Sequence, residues 1–138
     1  MKIKMLFIVV AFALTACGGS GGGGGASTPG SAPVISDLYY YPSSASYMEG
    51  GGALEVALAV KFYDPDRDVT TLHLTDSDGG NMQSNISDWP EVKGKESSIV
   101  YFAAPADTSL KGSFTFTVFM TDSKGNNSNK LAGSFTVQ

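Results

Sequence analysis

A strict alternation of apolar and other residues between positions 54 and 63 constrains the fold of this chain more than any other feature of its sequence. One face would carry Leu54, Val56, Leu58, Val60 and Phe62, and the other Glu55, Ala57, Ala59, Lys61 and Tyr63. Successive side chains of a β-strand point to opposite sides of the sheet, so a period of two indicates a strand with one buried face. We therefore predict a half-buried strand at 54–63.

Other segments have the same period or a β-rich composition. We predict strands at 34–40, 69–75, 98–103, 114–121 and 131–137, with a weak edge strand near 82–86. Clusters of Gly, Asn, Asp, Ser and Pro separate these segments, and no stretch has the 3.6-residue apolar period of a helix. Six or seven short strands within residues 33–138 predict an all-β sandwich.

The alternation also predicts the core between the two sheets. Its members are Leu54, Val56, Leu58, Val60, Phe62, Leu72, Leu74, Phe114, Phe116, Val118, Phe135 and Val137. Two segments, 75–81 and 121–127, share the pattern Thr-Asp-Ser-x-Gly-x-Asn. Gly and Asn accept a positive φ, and Asp and Ser bond back to the backbone, so both segments predict chain reversals.

Two segments resemble the repeats of bacterial immunoglobulin-like and cadherin-like proteins. Residues 60–70 (Val-Lys-Phe-Tyr-Asp-Pro-Asp-Arg-Asp-Val-Thr) look like the junction of the second and third strands of those repeats, and residues 114–125 look like their sixth strand and its turn. The resemblance implies an immunoglobulin-like antiparallel β-sandwich of about seven strands. It also implies that the loops after these two strands lie at the same end of the sandwich.

The first seventeen residues have the pattern of an export signal. Lys2 and Lys4 precede an apolar run at 5–14, which is too short to cross a bilayer as a helix. Residues 14–17, Leu-Thr-Ala-Cys, resemble the lipobox of bacterial lipoproteins, in which a peptidase cuts before the cysteine and the cysteine receives lipid. The resemblance implies a signal peptide at 1–16 and a lipidated Cys17. The alternative is an ordinary secretory signal that leaves Cys17 as a free thiol.

Residues 17–32 predict a flexible tether between the membrane and the domain, because glycine and serine dominate them and nothing there can form a core. The residue after Cys17 is glycine rather than aspartate, so the resemblance implies a cell-envelope protein, on the outer membrane if the cell is Gram-negative. The mature chain would have seven basic and thirteen acidic side chains, a net charge of −6. Nucleic acid is therefore not an expected partner.

Three aspartates alternate along one predicted turn: Asp64, Asp66 and Asp68. Carboxylates at alternate positions suit a hard cation such as Ca²⁺. An EF-hand loop does not fit, because Val69 stands at the position of its glycine and Thr75 at that of its glutamate.

The cadherin-like resemblance implies a calcium site at this turn, which Asp122 could join from the loop after the sixth strand. Arg67 stands where those loops usually have glycine and would compete with a cation. The alternative is a solvated acidic turn whose shape Pro65 sets. Calcium is the one cofactor that the sequence suggests.

Tyrosines concentrate in the segment 39–49, which we place between the first two strands. These are Tyr39, Tyr40, Tyr41 and Tyr47, interspersed with serines. Such a composition is typical of adaptable recognition loops, so the four tyrosines are candidate ligand-binding residues. The alternative is that some of them close the open end of the sandwich.

Catalysis is not expected from this sequence. His73 is the only histidine, it falls on the polar face of a predicted strand, and no serine lies in a Gly-x-Ser-x-Gly elbow. We therefore expect a non-catalytic binding or structural module, with an unknown envelope protein or a glycan as partner and the membrane bound through the acyl chains of Cys17. The alternatives are a carbohydrate-binding module that recognises polysaccharide through exposed aromatics and, more remotely, a small hydrolase or inhibitor.

Overall fold

The computed structural model describes residues 30–138, which form two sheets packed face to face. The strands are β1 (Val34–Tyr41), β2 (Ser44–Ala45), β3 (Ala53–Tyr63), β4 (Val69–Asp76), β5 (Asn81–Asn85), β6 (Ser97–Asp107), β7 (Gly112–Asp122) and β8 (Leu131–Val137). One sheet has the order β1-β3-β6 and the other β2-β8-β7-β4-β5. Pairing is antiparallel except between β2 and β8.

The predicted immunoglobulin-like sandwich is confirmed. Apart from the two-residue β2, the first, second and fifth strands form one sheet, and the third, sixth and seventh form the other. The remaining strand, β5, is the predicted edge strand near 82–86, and it pairs with β4. The predicted signal peptide at 1–16, the predicted lipidation site Cys17 and the predicted tether as far as residue 29 lie outside the described residues. No helix within residues 30–138 is long and apolar enough to cross a membrane.

The longest ladder joins β3 to β6. It runs through eleven pairs from Ala53↔Asp107 to Tyr63↔Ser97 without a register shift. Along β3, the side chains of Val56, Leu58, Val60 and Phe62 are buried, as the alternation predicted. This ladder fixes which face of the three-stranded sheet meets the second sheet.

The predicted core is largely confirmed. Nine of its twelve members are buried, and Leu54, Phe114 and Phe116 are half-buried. The last two line a cavity at one end of the sandwich and so are not fully covered. Buried apolar residues that the alternation did not include are Ile35, Val69, Met82, Ile86, Val92, Val100, Ala104 and Met120.

A β-bulge in β1 changes which side chains face the core. The register with β3 shifts between Ser36 and Tyr39, and Asp37 within that shift has a φ of 53°. The inserted residue reverses the alternation, so Ile35 and Tyr40 both point inward while Tyr39 and Tyr41 point to solvent.

Tyr40 connects the two sheets at their edge. Its ring packs edge-on against Phe116 with centroids 5.0 Å apart, and its hydroxyl accepts the N–H of Ser134 at 3.1 Å. Gly133 makes the space for this pair, because a Cβ there would lie 2.4 Å from the Phe116 ring and 2.9 Å from the Tyr40 ring. The glycine in β8 is therefore a packing requirement.

The two ends of the sandwich carry different loops. At the N-terminal end, Gly30 donates its N–H to Asp66 and accepts the side-chain N–H of Asn126. At the other end, which we call the distal end, the β1–β3 connection meets the β6–β7 turn, where Met48 donates to the carbonyl of Thr108 at 3.1 Å. The chain thus enters the domain beside the β3–β4 and β7–β8 loops.

Replacing Leu58 by alanine tests the core. Leu58 is 3% exposed at the centre of the β3–β6 ladder, so Leu58→Ala should lower the free energy of unfolding by about 2–5 kcal/mol. Leu110 is 57% exposed, and Leu110→Ala should change it by less than about 0.5 kcal/mol. Urea unfolding of both variants provides the comparison, and equal losses would contradict the assigned core.

Candidate functional site

Three turns of the molecule share one hydrogen-bond pattern. In each, the carboxylate of a strand-end aspartate accepts the backbone N–H groups of the residues two and four positions later. The aspartates are Asp64, Asp76 and Asp122. The residue three positions later donates its N–H to the aspartate's carbonyl and has a positive φ: 58° at Arg67, 87° at Gly79 and 85° at Gly125.

Both predicted chain reversals, 75–81 and 121–127, are therefore confirmed as turns of one kind. The turn at 64–68 is a third copy that the sequence did not reveal, because Arg67 replaces the glycine. Arg67 adopts the left-handed conformation, which is costly for a residue with a Cβ, and its guanidinium pairs with Glu96 at 3.0 Å.

The predicted carboxylates Asp64, Asp66 and Asp68 do come together. One oxygen from each lies within 4.8 Å of the other two, a spacing that a single cation could bridge. Asp64 is completely buried, and Oδ1 of Asp68 is buried without a hydrogen-bond partner among the described residues. These three residues form what we call the acidic cluster.

Positive groups already surround the acidic cluster. Oδ2 of Asp66 accepts the N–H groups of Gly30 and Ser31, both at 2.8 Å. The Nζ of Lys124 lies 3.8 Å from Asp66 Oδ2 and 3.9 Å from Asp68 Oδ2. A cation that bound here would have to displace or share the position of this ammonium group.

The pKa of Asp64 is raised by its burial and by the neighbouring carboxylates. Burial raises the pKa of this carboxyl above its ordinary value of 3.8, the N–H groups of Asp68 and Asp66 oppose the rise, and the charges of the same two residues add to it. Protonation of Asp64 is thus easier in the folded state, and any added positive charge would relieve the repulsion.

Asp122, the fourth predicted metal ligand, does not belong to the acidic cluster and instead caps the turn at 121–127, as Asp64 caps the turn at 64–68. Its carboxylate accepts the N–H groups of Lys124 and Asn126 and the side-chain N–H of Asn126. Burial opposes ionisation, but the hydrogen bonds from Asn126 and Lys124 outweigh it and lower the pKa of Asp122. The β7–β8 loop does meet the acidic cluster, as the resemblance implied. It does so through Ser123, which donates to the side chain and the carbonyl of Asp68, and through Lys124.

The structure divides the four predicted tyrosines among three settings. Tyr39, Tyr40 and Tyr41 belong to strand β1 rather than to a loop. Tyr39 and Tyr41 are 70% and 79% exposed, while the ring of Tyr40 packs between the sheets against Phe116. Tyr47 lies in the β1–β3 connection, 5.3 Å beneath the ammonium group of Lys111.

Tyr39 and Tyr41 form part of a larger exposed surface on the outer side of the three-stranded sheet. This surface, the tyrosine face, consists of Val34, Tyr39, Tyr41, Tyr63, Ile99 and Tyr101. Tyr63 and Tyr101 were not predicted as binding residues, although the alternation at 54–63 had placed Tyr63 opposite the core. The signal for Tyr101 was its position in β6, one residue out of phase with the buried Val100.

Small residues separate the aromatic rings of the tyrosine face. Tyr39 and Tyr101 lie on either side of Ala59 in one row across the sheet, and Tyr41 shares the next row with Ala57 and Ala103. Two strand spacings put the Cα atoms of Tyr39 and Tyr101 about 10 Å apart. The middle of the tyrosine face is therefore a shallow depression over Ala59, with the rings of Tyr39 and Tyr101 rising on either side.

His73 is held in a structural network on the outer side of the five-stranded sheet. Its Nε2 lies 2.8 Å from the hydroxyl of Thr121, which donates to Asn127, and its ring stacks on Phe119 with centroids 4.3 Å apart. Burial lowers the pKa of His73. These contacts account for its position on the sheet.

Searches with the chain find no matching protein-family model and no matching curated protein.

Calcium binding by the acidic cluster remains a prediction. Millimolar Ca²⁺ should raise the melting temperature slightly relative to chelator, because a ligand that binds only the folded state stabilises it. Lys124→Gln should increase the rise, since the competing ammonium is gone, and Asp66→Asn should abolish it. Mg²⁺ serves as the ionic-strength control. Melting curves that coincide with and without Ca²⁺ in all three proteins would leave the cluster as a solvated acidic turn.

Proposed function

We propose that this chain is a lipid-anchored protein of the cell envelope whose β-sandwich is a non-catalytic binding module, and that its ligand binds the tyrosine face. The observation that carries the proposal is the concentration of exposed apolar and aromatic side chains on one surface. Of nine large hydrophobic residues exposed in residues 30–138, six lie on this face. Contiguous exposed apolar patches are uncommon on soluble domains and mark interaction surfaces.

The tyrosine face is also mechanically suited to binding. Its residues stand on β1, β3 and β6, whose inward side chains form the core, so the backbone beneath the rings is rigid. Tyrosine adds a large contact area at low cost in side-chain entropy and offers a hydroxyl at its outer end. An envelope protein with a complementary flat surface would bury these rings without rearrangement of the domain.

A polysaccharide is the second candidate ligand. The low row formed by Ala59 between Tyr39 and Tyr101 favours it, since the apolar side of a sugar ring packs against an aromatic ring and a chain of sugars is long and flat. Two charged residues lie beside this row: Lys61, which pairs with Ser36 and Ile99, and the exposed Asp37, whose carboxylate accepts the hydroxyl of Ser36. Because these two charges have opposite signs, the surroundings favour a neutral glycan.

The anchor is tested on the mature N-terminus. The peptide that begins at Cys17 should carry a diacylglycerol by mass spectrometry, and Cys17→Ser should release the protein from membranes or leave the precursor uncut. Lys2 and Lys4 should be absent from the mature chain. A mature N-terminus with an unmodified thiol would overturn the anchor without affecting the tyrosine face.

The tyrosine face is tested by Tyr39→Ala combined with Tyr101→Ala, with Tyr47→Ala as the matched control outside the face. A glycan array and cross-linking in native envelopes identify the ligand with the unaltered protein. The double variant should lose binding at least about tenfold, in the range of losses at interface aromatics, and the control should keep it. Equal binding by all three proteins would exclude this face as the binding surface.

A further inference from the structure

A cavity of about 580 Å³ lies between the two sheets at the distal end. Its walls come from both sheets and are apolar, with Val56 and Ala104 on one side and Leu74, Met82 and Phe116 on the other. Its mouth opens beside the β4–β5 and β6–β7 turns. The volume falls within the range of small-molecule sites in proteins, about 300–1,000 Å³.

The sequence of β6 creates this cavity. Its inward side chains become smaller toward the distal end, from Val100 and Phe102 to Ala104 and Ala106. At the opposite end, Trp89 and Val92 from the β5–β6 loop pack against the core. Close packing is the rule in protein interiors, so the space that these two alanines leave between the sheets is a specific feature.

The mouth of the cavity is acidic. Asp76, Asp78 and Asp107 contribute to its lining. Backbone N–H groups hold two of these carboxylates through their Oδ1 atoms, from Asp78 and Gly80 to Asp76 and from Ser109 to Asp107. The side-chain and backbone hydrogen bonds from Ser109 lower the pKa of Asp107, which keeps it ionised. Lys111 in the neighbouring turn is directed over the Tyr47 ring.

We propose that the distal cavity binds an amphiphile with an apolar chain and a cationic head. The chain would lie between the sheets against Val56, Leu74 and Phe116, and the head would lie at the mouth among Asp76, Asp78 and Asp107. An anionic amphiphile such as a fatty acid would meet three like charges at the same place. This site is independent of the tyrosine face, because Ala104 and Ala106 point inward whereas Tyr101 and Ala103 point outward from the same strand.

The test uses dodecylamine, dodecanoate and 1-dodecanol, which share one chain and differ in the charge of the head. The chain from position 17 with Cys17→Ser is used so that no detergent competes. Dodecylamine should displace an apolar fluorescent dye such as N-phenyl-1-naphthylamine saturably and raise the melting temperature, with dodecanol weaker and dodecanoate weakest. Amide shifts of Gly52, Asp78 and Gly80 in NMR spectra should move on titration.

Two variants separate the head from the chain. Asp78→Asn with Asp107→Asn should weaken dodecylamine binding roughly tenfold, because two of the three charges at the mouth are removed, and should leave dodecanol binding unchanged. Ala104→Leu should weaken both by filling the cavity, and the rim variant still decides if this one fails to fold. Tyr39→Ala with Tyr101→Ala should have no effect. Absence of saturable binding, a preference for dodecanoate, or sensitivity to the tyrosine variant would overturn the proposal.

Discussion

The pairing of β3 with β6 determines both faces of the three-stranded sheet: the inner face that forms the core and the outer face that carries the tyrosines. Because the ladder keeps one register over eleven pairs, every second residue of both strands is committed to the core and every other one to solvent. The inner set anchors the three-stranded sheet to its partner. The outer set gives Tyr63, Tyr101 and the alanines between the rings. A slip of one residue would bury Lys61 and expose Leu58, so the stability of the core and the composition of the outer surface are inseparable.

The three aspartate turns determine how the chain reverses at the ends of the sandwich. In each turn, the aspartate carboxylate accepts two backbone N–H groups that would otherwise lack a partner beyond the end of the strand. The chain can therefore reverse in a tight turn rather than in a longer loop. Two of these turns close hairpins of the five-stranded sheet. The third carries the chain from one sheet to the other, and there the capping aspartate is joined by Asp66 and Asp68. The acidic cluster is therefore partly a by-product of turn geometry, which is why its presence alone does not establish a metal site.

Much of the fold could be predicted from the sequence, because period-two alternation and turn chemistry are local signals. The strand at 54–63, the edge strand near 82–86 and the two reversals needed no long-range information. The positions of the tyrosines did require long-range information. A segment rich in tyrosine and serine is predicted as a loop unless the bulge at Asp37 and the pairing with β3 are known. The gathering of Tyr39 and Tyr101 into one row also depends on β3 lying between their strands. The distal cavity was invisible for a similar reason: small residues in β6 reveal a void only when the opposite sheet is in place.

The bulge in β1 makes the number of residues in that strand as important as their identity. Asp37 has an exposed side chain and a φ of 53°, a conformation that aspartate, asparagine and glycine accept more readily than most other residues. Removal of a residue there would instead turn Tyr40 to solvent and drive Tyr39 and Tyr41 toward the core. Exchange among aspartate, asparagine and glycine at position 37 should therefore be tolerated during evolution, whereas a single in-frame insertion or deletion would abolish the sheet-to-sheet contact and the exposed aromatic surface together.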